Sequence, residues 1–444
     1  MSGIRFPSDL AEELRSYLFE DLTVETCAVA YANGVDGTDA WVVTSVAKVP
    51  EWGYERRTAV SAVLTGRYLV EIANTARLGR LSVVIIHTHP WAKGYPDFSI
   101  VDDEGETELL EYFGRRVPNS RHLAMVVGPE GCCARLLGAK TKIPVWEAGD
   151  RLFLWSPSGD ARPEQRHDRQ IRAFGELGQR IIAGLRIGVI GAGGTGSLVI
   201  QQLAHLGAKN FTIIDPDVVE RTNLNRLVGA SFADLEVPKV FVARNLIHGI
   251  DPDAQVEALQ RDVIEEDVAA MLKSLDFVFL CTDSHASRAV VNQIAYQYLV
   301  PAIDMGVSIT VKDGQISHLT GRTQMLSAGL PCLVCTQALD GEQIRQELMT
   351  PEQRAADPYV IGAHEPQPAV ISLNSTVASL AITMFLGAVT PAPAGARLQL
   401  YDGIRGTVRP TVARQVPNCL ACSPSGALAK GDRRTLPVRR KRNL

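Results

Sequence analysis

The stretch Ile187-Gly188-Val189-Ile190-Gly191-Ala192-Gly193-Gly194-Thr195-Gly196 constrains this chain more than any other. A β-branched strand runs straight into four closely spaced glycines, and helical spacing comes next. Glycines let the backbone turn sharply and approach a phosphate, while the next helix offers free N–H groups and a partial positive charge. Asp215 ends the following strand, 19 residues beyond Gly196, where an acid suits a ribose hydroxyl. Alternation continues downstream: strands at 210–214 and 277–280, helices at 195–206, 236–250 and 286–298. That order predicts an α/β domain built on a Rossmann-like, doubly wound parallel sheet.

The glycine loop alone also fits an NAD-dependent oxidoreductase. Residues downstream of Asp215 separate nucleotidyl transfer from hydride transfer: Asn223, Arg226 and Lys239, then Asp283 at the end of a later strand. Hydride transfer has no use for two cations beside the phosphates. Nucleotidyl transfer does, and an acid there can hold Mg²⁺. Cys332-x-x-Cys335 and Cys419-x-x-Cys422 add four thiolates in two short chelate loops, which suits a closed structural Zn²⁺ site. Cys281 reads as a small buried residue.

At these residues the chain resembles the ubiquitin-activating, E1-like adenylyltransferases of the ThiF/MoeB type. The match spans roughly residues 164–424 and includes Arg166-His167-Asp168-Arg169-Gln170. The resemblance implies that Gly191, Gly193, Gly194 and Gly196 cradle ATP and that Asp215 binds its ribose. It gives Asn223, Arg226 and Lys239 the phosphates and Asp283 the Mg²⁺. Arg169 would reach the ATP of a neighbouring subunit, which implies a homodimer. The family often carries a thioester-forming cysteine after the first Cys-x-x-Cys pair, but no cysteine lies between Cys335 and Cys419. A thioester on that loop is therefore excluded.

Residues 1–150 read as a separate domain. A continuous apolar run, Leu81–Ile86, ends in His87-Thr88-His89-Pro90, and Ser99 and Asp102 come after it. Histidines one residue apart on an extended segment point the same way. With a carboxylate they supply three zinc ligands and leave a position for water, the layout of a hydrolytic site. Glu25 opens a strand nearby as a candidate base. The pattern resembles the JAMM (JAB1/MPN/Mov34) metalloproteases. That resemblance implies Glu25 as general base, His87, His89 and Asp102 as ligands, and Ser99 as oxyanion stabiliser. The spacing leaves Asp103 as an alternative to Asp102, with the Ser-x-x-Asp register favouring Asp102.

The expected organisation is a JAMM α/β domain at 1–150, a linker at 151–164, an E1-like domain with structural zinc at 165–424, and a basic solvated tail at 425–444. The two resemblances together imply one kind of substrate for both domains, a ubiquitin-like or sulfur-carrier protein ending in Gly-Gly. An E2-like conjugating enzyme or a sulfur donor is a further expected partner. A scaffold with one inactive domain stands as the other alternative. Net charge is −4 with six cations among Arg433, Arg434, Arg439, Arg440, Lys441 and Arg442; removing them leaves −10, which argues against a nucleic-acid partner. Ala369–Val389 carries no charge, yet its Ser, Asn and Thr content predicts a buried core helix and no membrane span. Charges at Arg5, Asp9, Glu12 and Glu13 interrupt any apolar leader, and eight cysteines without a disulfide pattern suit the cytoplasm.

Overall fold

The computed structural model describes residues 2–156, 164–350, 353 and 368–439. Two compact units emerge: Met1–Ser158 with Gln297–Leu299 and Leu428–Arg434, and the remainder of the chain.

In the first unit β1 (Gly3–Pro7) and α1 (Ser8–Leu18) precede a meander of β2 (Cys27–Val35) and β3 (Ala40–Lys48). A small hairpin, β4 (Tyr54–Thr58) and β5 (Ser61–Leu64), leads to α2 (Gly66–Gly79) and β6 (Ser82–Thr88). Then come α3 (Ile100–Arg116), β7 (Leu123–Gly128), β8 (Gly131–Leu136), β9 (Lys142–Ile143), β10 (Val145–Ala148) and β11 (Leu152–Leu154). Nine of these strands form one mixed sheet in the order β11-β10-β1-β3-β2-β6-β7-β8-β9.

Both faces of that sheet are covered, which explains why β6 is apolar without alternation. Val84 and Ile86 join a core with Phe6, Leu14 and Trp41 on the α1 side. Val83 and Ile85 join a second core with Ile72, Ala76 and Phe113 from α2 and α3.

The second unit begins with α4 (Asp168–Gly184), β12 (Arg186–Ile190), α5 (Gly194–His205) and β13 (Asn210–Ile214). It continues through α6 (Lys239–Ile250), β14 (Gln255–Leu259), α7 (Glu266–Met271), β15 (Phe277–Leu280) and α8 (His285–Gln297). It ends with β16 (Ala302–Lys312), β17 (Gln315–Leu326), α9 (Gly341–Leu348), α10 (Ile371–Val389), β18 (Leu398–Asp402) and β19 (Thr407–Pro410). Strands run β14-β13-β12-β15-β16-β17-β18-β19. The first five are parallel, and β17, β18 and β19 pair antiparallel. Strand order reverses between β12 and β15, so the crevice at their carboxyl ends is the ligand position for such a sheet.

Helix α10 is long and apolar enough to cross a membrane by length and composition. It packs instead against α5, β16 and β17, and Phe385 meets the rings of Phe277 and Phe279 at 4.9 and 5.3 Å.

Two expected boundaries are corrected. Residue 151 does not open a linker, because Leu152–Leu154 pairs with Val145–Ala148 as an edge strand of the first sheet. The polar stretch 157–163 lies outside the described residues. The tail from 425 is not solvated over its described length. Asn33 Nδ2 donates to Ala429 O at 3.0 Å, and the Tyr298 hydroxyl donates to Asp432 at 2.8 Å. Arg439 donates from its backbone to Ile264 O at 2.7 Å and from Nη2 to Glu347 O at 2.7 Å. Backbone carbonyls hold Arg439, and composition carries no sign of such partners.

Candidate functional sites

In the first unit, His87 sits at the end of β6, and Cys27↔His87 register brings the start of β2 alongside. Thr26 and Thr88 lock the two ends together: Thr88 N donates to Thr26 O at 3.0 Å and Thr26 N to Thr88 Oγ1 at 2.9 Å. Glu25 is held there by its own N–H on Thr58 O at 2.7 Å and by Arg57 Nε on its carbonyl at 3.2 Å. Ser99 is the N-cap of α3, and it forms a capping box with Asp102. Ser99 N donates to Asp102 Oδ2 at 2.6 Å, and Asp102 N donates to Ser99 Oγ at 3.2 Å. The helix start thus aims the Asp102 carboxylate.

Three donor groups converge. His87 Nε2 lies 3.1 Å from Asp102 Oδ1 and 3.3 Å from His89 Nε2, and His89 Nε2 lies 3.6 Å from Asp102 Oδ2. Tetrahedral zinc with ligands at about 2.0–2.1 Å places donors about 3.3 Å apart, so the set fits that ion. Burial, with the His87 charge, holds His89 below its usual value, which favours the neutral ligand form. Burial would raise Asp102, but the hydrogen bond and charge of His87 hold it well below the usual carboxylate range. Glu25 Oε1 stands 3.9 Å from His89 Nε2. Burial lifts its carboxyl to about 7, against the His87 charge. Asp103 is engaged elsewhere, by Arg135 Nη2 at 2.7 Å and Lys140 Nζ at 2.5 Å. Of the two aspartates, Asp102 is the one that stands beside the histidines.

In the second unit the glycine loop spans the β12/β15 switch point. Gly191 has φ +91°, and a Cβ there would meet Cys281 O at 2.9 Å. A Cβ on Gly196 would meet Gly191 O at 1.9 Å, so the loop closes only with glycine at that position. Gly193 has nothing within 4 Å and faces open space. Asp215, 5% exposed, accepts from Ala192 N at 2.6 Å and Asp217 N at 2.8 Å, tying β13 to the loop. Burial raises its carboxyl against the Lys239 charge. Lys239 opens α6 and meets Asp217 Oδ2 at 2.7 Å. Arg226 flanks Gly194, its Cδ 3.1 Å from a Cβ placed there, while Nη1 donates to Thr222 O at 2.8 Å.

Asp283 is exposed between β15 and α8, with no ion pair among the described residues. Asn223 Oδ1 accepts from Glu220 N at 3.1 Å and so braces its own turn. Arg169 is exposed near the start of α4, and no hydrogen bond among the described residues joins it to the loop. Burial and the Asp304 carboxylate push the Cys281 thiol far up, which suits an inert residue. Sequence reasoning missed Glu347, whose carboxylate accepts from Ser284 Oγ and Ala286 N, each at 2.7 Å, beside Asp283. Nothing local at Glu347 signals that long-range cap.

Cys332, Cys335, Cys419 and Cys422 form one cluster. Sγ separations are 3.6 Å for Cys332–Cys335 and Cys332–Cys419 and 3.5 Å for Cys335–Cys422. Zinc–thiolate bonds of about 2.3 Å give a tetrahedral edge near 3.8 Å, so four thiolates fit one ion with no open position. Hydrogen bonding from the Cys422 thiol, against burial, pushes Cys332 down to about 5. Cys332→Ser or Cys422→Ser is expected to remove one zinc per chain in metal analysis and to lower the thermal midpoint. Unchanged zinc content in both variants would exclude a four-thiolate site.

A glycine loop at the switch point of a mostly parallel sheet, with cations and acids around it, defines a nucleotide-binding α/β protein of the Rossmann-like class. The ThiF family model matches residues 167–421, more than half of the chain, and the chain belongs to that family. The molybdopterin-synthase adenylyltransferase of Escherichia coli (strain K12) is 29% identical over 259 residues, covering 58% of this chain and 95% of that protein. The SAMP-activating enzyme E1 of Haloferax volcanii is 30% identical over 178 residues, covering 40% of this chain and 63% of that one. The sulfur carrier protein adenylyltransferase of Thermus thermophilus is 28% identical over 261 residues, 58% and 90% of the two chains.

Proposed function

We propose that this chain adenylates the C-terminal glycine of a small ubiquitin-like or sulfur-carrier protein ending in Gly-Gly, using ATP and Mg²⁺. One observation carries the reading. Arg226 flanks Gly194, Asp215 bonds Ala192 of the loop, Lys239 pairs with Asp217 just beyond it, and Asp283 lies just past the adjoining strand. The loop N–H groups and the α5 N-terminus hold phosphates, and Arg226 and Lys239 offset their charge. Asp215 is placed for the ribose. Asp283 would hold Mg²⁺, which supplies charge neutralisation to the pyrophosphate leaving group. The partner's carboxylate oxygen then attacks the α-phosphorus, the bond to the β-phosphate bridging oxygen breaks, and an acyl adenylate and pyrophosphate result.

Membership of the ThiF family and the named activities of its relatives favour nucleotidyl transfer over hydride transfer. With no cysteine between Cys335 and Cys419, the acyl adenylate passes straight to a partner's nucleophile or to a cysteine elsewhere. Arg169 would act across a homodimer. The reaction belongs in the cytoplasm, where the eight thiols stay reduced.

The first unit supports a second activity, zinc-dependent cleavage after that same glycine. Its support is the convergence of His87, His89 and Asp102 with Glu25 beside them. Zinc there supplies Lewis acidity to water and the scissile carbonyl. Glu25 takes a proton from the attacking water and returns it to the departing amine. Ser99 lines the same groove, where its hydroxyl can donate to the developing oxyanion. The test of adenylation is ATP–pyrophosphate exchange by the full chain with Mg²⁺ and a carrier protein ending in Gly-Gly. Exchange that requires the terminal glycine is expected. No exchange with any such carrier would overturn the reading.

A further inference from the structure

Helix α10 starts at Ile371, and among the described residues no side chain caps its N-terminus. Its first-turn N–H groups keep the partial positive charge of an open helix end. The fourth residue of the helix, Asn374, reaches the second helix end in this region. A Cβ on Gly194, the first residue of α5, would lie 2.5 Å from Asn374 Nδ2. Arg226 flanks the same glycine, with Cγ and Cδ each 3.1 Å from that position.

Asn374 is 3% exposed, and its Oδ1 is buried with no hydrogen-bond partner. No hydrogen bond of its amide nitrogen appears among the described residues either. A buried amide without partners destabilises a fold, and such a group persists where a ligand completes it. The amide nitrogen, with its two N–H donors, is the atom that faces Gly194.

We propose that Asn374 and the open N-terminus of α10 form a second anion-binding element of the nucleotide site, contacting phosphate oxygens held over Gly193 and Gly194. The inference rests on the nucleotide-binding reading and adds a side-chain donor beside Gly194 to the loop's own N–H groups. The start of α5, the Asn374 amide and the Arg226 stem meet at that glycine, so the group they suit is an anion. The phosphate chain is the anionic part of the nucleotide, and adenosine has none.

The experiment measures binding of three probes to the full chain by calorimetry: Mg-ATP, Mg-pyrophosphate and adenosine. Asn374→Ala is expected to weaken ATP and pyrophosphate by roughly 10- to 100-fold, the worth of a charge-assisted hydrogen bond. Asn374→Asp should weaken both at least as much, because it sets a carboxylate against phosphate. Adenosine binding should stay within about twofold of wild type by the same principle. The thermal midpoint of ligand-free Asn374→Ala should hold or rise, since an unpartnered polar group has gone. Wild-type ATP and pyrophosphate affinity in Asn374→Ala would overturn the proposal. So would an equal loss of adenosine, or failure of both Asn374→Ala and Asn374→Ser to fold, since either marks a structural role. A wild-type chain that binds neither ATP nor pyrophosphate would overturn the nucleotide reading itself.

Discussion

Asp283→Ala is expected to lower ATP–pyrophosphate exchange by on the order of 10³-fold. Asp283 is exposed at the β15–α8 junction, so its loss leaves no cavity and no buried orphan. The thermal midpoint should stay within about 2 °C of wild type for the same reason. What changes is charge. Without this carboxylate the proposed Mg²⁺ site would lose its anionic ligand, and the charge on the departing pyrophosphate would stay uncompensated. Asp283→Asn separates ligand charge from shape, and it should recover little of the loss. Arg226→Ala gives the complementary result, weakening exchange while leaving the acid in place. Full exchange by Asp283→Ala would remove that residue from the mechanism, while the glycine loop and its cations would stand.

The parts of the fold legible in the sequence are those that local rules encode. The turn at Gly191 needs positive φ, and Gly196 needs the absence of a Cβ; both needs mark the sequence directly. Ile187–Ile190 and Phe277–Leu280 are covered on both faces, so they read as apolar runs. Two Cys-x-x-Cys loops bring their thiols together across 84 residues because each pair is itself a local chelate. The antiparallel continuation through β17, β18 and β19 is not legible. Its strands, Gln315–Leu326 among them, mix exposed and buried residues, and a long helix-bearing stretch separates β17 from β18. Nor is the return of Leu428–Arg434 to the first unit, which rests on single bonds such as Asn33 to Ala429 O. Resemblance alone assigns Ser99 to the oxyanion. Its capping of α3 is a second role, legible in the Ser-x-x-Asp spacing itself. Asn374 has no local signal at all, since only packing of α10 on α5 places its amide at Gly194.

Glu25→Gln and His87→Ala should divide the first unit's chemistry into its parts. Glu25 donates no ligand atom to the His87, His89 and Asp102 cluster, so Glu25→Gln is expected to keep zinc. It keeps side-chain shape but cannot accept a proton, and cleavage should fall by roughly 10²- to 10⁴-fold. His87→Ala removes one of three protein ligands, so zinc content at this site and cleavage should fall together. The four-cysteine site should keep its metal, leaving one zinc per chain in that variant. The substrate is a carrier protein extended beyond its Gly-Gly, read by intact mass. ATP–pyrophosphate exchange should be unchanged in both variants, because the glycine loop belongs to the second unit. Wild-type trimming by Glu25→Gln would show that another group takes the proton. A zinc-loaded wild-type chain that trims neither extensions nor isopeptide conjugates would leave the His87 cluster a metal site without a protease. The adenylation reading would stand, since the glycine loop lies in the second unit.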